Sequence, residues 1–82
     1  MSNLNNSRVQ EAKRAILDYF LDRDTPPAGA VKQVSFAPLQ ARYRGGYFQQ
    51  AFNQLIADGC IEMSELPGWV VLTDKGYEQA RI

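Results

Sequence analysis

The 82-residue sequence predicts an α+β fold that is mainly helical, with a three-helix core, a β-hairpin and a short C-terminal helix. Three observations carry that expectation. Apolar residues recur at helical spacing in three stretches, 8–23, 36–43 and 47–58. Two short β-compatible runs, 60–63 and 69–72, flank the turn signal Glu65-Leu66-Pro67-Gly68. Thr73 then stands as an N-cap before a last helical stretch, 74–80.

Each element follows from local chemistry. Residues 1–6 read as a disordered polar tail, and residues 7–82 as one domain. Ser7 is the expected N-cap of the first helix. Val9, Ala12, Ile16, Tyr19 and Phe20 mark its buried stripe, and Leu17 and Leu21 widen it. A stripe that wide suits burial against two neighbours, or a core plus a partner subunit. Leu17 and Leu21 are therefore candidates for a homodimer seam, with packing inside one chain as the alternative. Asp24-Thr25-Pro26-Pro27-Ala28-Gly29 stops the helix. Val31-Lys32-Gln33-Val34 alternates like a short strand. Ser35 is read as the cap of the second helix, with Pro38 tolerated in its first turn and Leu39 and Tyr43 sharing a face. Arg44-Gly45-Gly46 makes a sharp break that favours positive φ. In the third helix Phe48, Phe52, Leu55 and Ile56 form one buried face, and Gly59 ends it. Trp69 is expected to anchor the hairpin to the core.

Composition bounds the function. A chain this short buries only about 60–65% of its unfolded surface, so its stability margin is thin. Formal net charge is zero, but the distribution is lopsided. Arg8, Lys13, Arg14, Arg23, Lys32, Arg42 and Arg44 outnumber Glu11, Asp18, Asp22 and Asp24 in residues 1–50. In residues 51–82, Lys75 and Arg81 face Asp58, Glu62, Glu65, Asp74 and Glu78. One side can therefore still face phosphates. The single Cys60 allows no internal disulfide and reads as a small buried hydrophobe. With no histidine and one cysteine, neither a Ser-His-Asp or Cys-His arrangement nor a Cys/His zinc site can be assembled. No enzyme activity, metal or cofactor is expected. The first residues lack the apolar run of a signal peptide, and no stretch nears the ~20 apolar residues of a membrane span. A cytoplasmic protein without a membrane partner is the expectation.

The order helix, strand, helix, tight turn, helix, hairpin, helix resembles the winged helix-turn-helix family of prokaryotic transcriptional regulators. The likeness rests on Leu55-Ile56-Ala57-Asp58-Gly59-Cys60-Ile61, similar to the family's "Leu-x-x-x-Gly-x-Ile" helix end. It rests also on Leu72-Thr73-Asp74-Lys75-Gly76, similar to its "Leu-Thr-x-x-Gly" exit from the wing. The resemblance spans about residues 8–82 and implies a sequence-specific DNA-binding regulator whose third helix enters the major groove.

The outward face of that helix carries the chemistry. At ~100° per residue, Gln50, Asn53, Ala57 and Gln54 fall opposite the apolar face, with Tyr47 and Gln49 on the flanks. Carboxamides donate and accept together, matching the N6/N7 edge of adenine. Tyr47, Gln49, Gln50, Asn53 and Gln54 are the candidate base-contacting residues. Arg42 and Arg44, joined by Lys32, are the candidate phosphate contacts. The bland alternative is a solvated, uncharged helix face. A protomer this small makes few contacts, so a homodimer on a two-fold site of double-stranded DNA is expected.

The hairpin departs from the family pattern. It holds Glu62 and Glu65 and no basic residue over 60–73. An acidic wing is repelled by phosphate. Either it stands clear of DNA, or the domain is a protein–protein interaction module, an adaptor or phage-type inhibitor that docks on a protein partner.

Overall fold

The computed structural model describes residues 3–82, with side chains from Ser7 onward. The fold is α+β and mainly helical: four α-helices and one three-stranded antiparallel sheet among the described residues. Helix α1 spans Asn3–Asp22. No glycine or proline interrupts residues 1–23, so the helix runs back past Ser7, which lies inside it and is not its cap. Of the expected tail, residues 3–6 are helical in backbone, and residues 1–2 lie outside the described residues. Val9, Ala12, Ile16, Leu17 and Phe20 are buried along one stripe. Asp24 ends the helix in a left-handed conformation (φ 54), its N–H donating to the Leu21 carbonyl at 2.9 Å. Aspartate tolerates that region better than most side chains.

Strand β1 (Ala30–Lys32) is shorter than the expected alternation. A 3-10 turn over Gln33–Phe36 follows, which takes Ser35 into the turn and removes it as a cap. The burial of Phe36 explains the difference: its ring is fully enclosed, and the turn swings it inward while Val34 is left 75% exposed. Helix α2 (Ala37–Arg42) starts with Pro38 in its first turn, and Tyr43 just beyond its end is buried. Gly45 and Gly46 both adopt positive φ (86° and 90°) and aim the chain into α3 (Tyr47–Ala57). Phe48, Ala51, Phe52 and Leu55 are the buried face of α3, and Ile56 is half-buried beside them.

The end of α3 is a Schellman motif. Gly59 N–H donates to Ile56 O at 3.0 Å and Cys60 N–H to Leu55 O at 2.9 Å, with Gly59 at φ 79. Strands β2 (Ile61–Met63) and β3 (Trp69–Leu72) form the hairpin, and β1 pairs with the other edge of β3, giving the order β1-β3-β2. Thr73 caps α4 (Asp74–Arg81) as expected, its hydroxyl accepting the Gly76 N–H at 3.0 Å.

The core lies where α1, α3 and the inner sheet face meet. Phe36 is at its centre, with ring centroids of Tyr19, Phe20, Phe48 and Phe52 at 5.0, 5.7, 6.1 and 6.1 Å. The Tyr19 hydroxyl is buried with no hydrogen-bond partner among the described residues. A buried unpaired hydroxyl costs folding free energy. Tyr19→Phe is therefore expected to raise stability by about 1 kcal/mol. Urea denaturation checks this, and a lowered midpoint would mean that the hydroxyl has a partner in solution.

Candidate nucleic-acid interface

The burial of Phe48, Ala51, Phe52 and Leu55 against the core turns the opposite side of α3 outward. Gln49, Gln50, Asn53 and Gln54 are all exposed on it, and Tyr47 is half-buried at its start. Gln49 Nε2 donates to Asn53 Oδ1 at 2.9 Å, one helical turn apart. That bond leaves Gln49 Oε1 as acceptor and Asn53 Nδ2 as donor, side by side on a fixed pair. No acidic residue lies in the first turn of α3, and no side chain caps its N-terminus. In that first turn the Phe48 N–H donates to the Tyr43 carbonyl at 3.1 Å, and the positive end of the helix dipole lies at this end.

The turn before α3 adds charge. Arg42 and Arg44 are exposed. Arg44 Nε donates to the Ala41 carbonyl at 3.3 Å, and the Arg42 guanidinium lies 5.9 Å from the centre of the Tyr43 ring. Tyr43, Arg44, Gly45, Gly46 and Gln49 line a shallow recess of about 380 Å³ there.

Arg8 is the residue that sequence reasoning missed. It reaches across from α1, with its guanidinium 4.6 Å from the Tyr43 ring centre and 5.9 Å from that of Tyr47. Its Nη2 donates to the Arg42 carbonyl at 3.2 Å, and its Nη1 pairs with Glu11 at 2.8 Å. Three guanidiniums and one carboxylate thus surround the start of α3. The i, i+3 pair with Glu11 was legible, but the contact with Arg42, 34 positions away, was not.

Lys32 belongs to a different neighbourhood. It sits opposite Trp69 in the β1–β3 register, with Nζ 5.7 Å from the Trp69 ring. Trp69 is thereby corrected: Val70 and Leu72 face the core, and Trp69 lies half-exposed on the outer sheet face. Lys32 brings a positive charge to the hairpin, which has none of its own. Glu62 and Glu65 are exposed, Glu62 opposite Val71 in the ladder. The two leucines offered as a seam pack within one chain, as the alternative reading has it. Leu17 is 6% exposed, and Leu21 packs half-buried on the same core.

Cys60 is buried, and burial pushes its thiol above the ordinary value against the opposing pull of Lys75. Among the described residues no three His, Cys, Asp or Glu side chains cluster as a metal site would need. No helix among them is long and apolar enough to cross a membrane. Set against protein-family models, curated proteins and solved structures, the chain matches none.

Proposed function

We propose that this chain is a winged-helix DNA-binding protein and a regulator of transcription, with α3 as the reading helix and β2–β3 as the wing. The observation that carries the reading is the outward face of α3: a run of uncharged carboxamides with cations at its N-terminal end. Such a face meets base edges without repulsion, and its N-terminal half is the part a recognition helix uses. Gln49, Gln50, Asn53 and Gln54 contact bases, with Tyr47 at the groove edge. Arg42, Arg44 and Arg8 hold phosphates on one side, and Lys32 holds them beside the wing. Two copies on a two-fold site supply the contacts that one small protomer lacks. The working compartment is the cytoplasm, where a lone buried thiol stays reduced.

Fluorescence anisotropy with duplex DNA tests this reading, using random sequence and the fragment upstream of the protein's own coding region. Saturable binding that weakens steeply with salt and is tighter on the upstream fragment is the expected result. Asn53→Ala is expected to cost about 1–3 kcal/mol on the preferred site alone. Arg44→Ala weakens binding to every sequence and lowers the salt slope by about 1. Equal losses from both variants on all sequences would remove the base-reading role.

One observation favours a second reading, docking on a protein. Val34, Met63 and Leu66 are 75%, 47% and 66% exposed, and Met63 and Leu66 directly follow Glu62 and Glu65 in the hairpin. Absence of DNA binding at low salt and micromolar protein would select it.

A further inference from the structure

On the side of the molecule formed by α1, α4 and the C-terminal end of α3 lies a cavity of about 370 Å³. Its floor is apolar: Leu17, Leu55 and Cys60 line it and are all buried. Its rim is cationic, with Lys13, Arg14 and Lys75 against a single carboxylate, Asp58. The three cations are differently engaged. Arg14 is fixed, bonded to Asp18 at 2.9 Å and to the Gln79 and Ala80 carbonyls at the end of α4. Lys13 is loosely paired, its Nζ 3.6 Å from Asp58. Lys75 has no ion-pair partner among the described residues.

We infer that this cavity is a binding site for a small organic anion, an aromatic or aliphatic carboxylate, whose apolar body covers Leu17, Leu55 and Cys60 and whose charged head meets Lys75 and Lys13. An apolar floor with a few convergent polar groups is the usual make-up of a small-molecule site, and the volume lies in the range of such sites. The rim decides the sign of the ligand. It sets three cations against one carboxylate, Asp58, and Lys75 has no ion-pair partner among the described residues, so the rim attracts an anion and repels a cation. A bare inorganic anion would use the rim and make no apolar contact with the floor. The carboxylate head replaces Asp58 as the partner of Lys13, so exchange of one ion pair for another limits the desolvation cost. Because the cavity draws on α3 only through Leu55 in its last turn and on Asp58 just after it, it fills without covering Gln49, Gln50 or Asn53, and the inference is independent of the DNA-binding reading.

The test uses the full chain, 2-naphthoate as probe and uncharged 2-naphthamide as its neutral twin, followed by amide NMR. Naphthoate is expected to give saturable shifts clustered at Lys13, Leu17, Leu55, Cys60 and Lys75. Naphthamide should bind about tenfold more weakly, and Lys75→Gln should weaken naphthoate by about the same factor without changing the amide. Lys75 is exposed, so the variant keeps its fold. Bound naphthoate also slows alkylation of Cys60. Shifts elsewhere on the surface, equal binding of the two probes, or no saturable shifts in the low-millimolar range would each overturn the assignment.

Discussion

Gly76→Ala is expected to remove a large share of the protein's folding stability. A Cβ on Gly76 would be driven into the carbonyl oxygen of Cys60, and would lie 2.8 Å from that carbonyl carbon and 2.9 Å from Leu72 Cδ1. The obstacle is backbone, so no rotamer change relieves it. Relief requires α4 to lift off the junction between α3 and β2. That movement breaks the knot made by Thr73, whose N–H and hydroxyl both reach the Cys60 carbonyl, at 3.0 and 2.9 Å. It also uncovers Ala80, which is buried against α1. Losing the cap alone costs about 1 kcal/mol, and the clash and lost packing bring the total to about 3–5 kcal/mol. A domain of this size has roughly 4–12 kcal/mol of stability in all. Urea titration followed by circular dichroism measures the loss. Gly68→Ala is the control: it has φ +85 but open space around it, so only about 1–2 kcal/mol of backbone strain is expected. Equal effects from the two variants would mean that α4 is free to move and that the Cys60 contact is unimportant.

Phe36→Ala is the second large effect. The ring is fully buried and meets four other aromatic rings. Truncation removes its transfer free energy and leaves a hole that four stiff rings close poorly, a loss of about 3–5 kcal/mol. Two of those rings, Phe48 and Phe52, hold α3 in place, so the variant loosens the very helix assigned to base reading. Thermal melting with near-ultraviolet circular dichroism separates the outcomes. A lowered melting temperature with retained near-ultraviolet signal means local collapse. Loss of that signal with helix content retained means a core without fixed packing. Phe36→Leu recovers most of the stability, since it keeps bulk while giving up ring geometry. An unchanged melting temperature in Phe36→Ala would show that the 3-10 turn does not depend on this anchor.

The parts of the fold that were readable are those set by signals within a few residues. The apolar face of α3 and its glycine stop are local, and the Schellman bonds at Gly59 and Cys60 follow from them. The Thr73 cap is local too. The misread parts depended on distant partners. Ser35 carries a good capping side chain, yet burial of Phe36 one residue later outweighed it and wound the segment into a 3-10 turn. Trp69 and Val70 alternate in β3, but the strand alone does not say which of the two faces inward, and Val70 took the core. Gly76 was legible as a motif residue, while its reason, a carbonyl 16 positions earlier in the chain, was not. In the candidate interface, the carboxamide face could be read from the helical wheel. The approach of Arg8 depends on how α1 packs across α3, which no local pattern encodes.

The sheet order has a consequence for the protein's biosynthesis. Its middle strand, β3, is made last, so it is the piece on which both ladders wait. A nascent chain that has reached Pro67 holds β1 and β2 with neither paired, because Ala30–Lys32 and Ile61–Met63 each find their partners only within Trp69–Leu72. Until those residues leave the ribosome, the helices lack the lid formed by Val70 and Leu72. Chain closure is thus a late and nearly all-or-none event, and non-local pairing of this kind slows folding. Premature termination just upstream of Trp69 would release a chain with exposed core and unpaired strands, a substrate for proteases and not a shorter working domain.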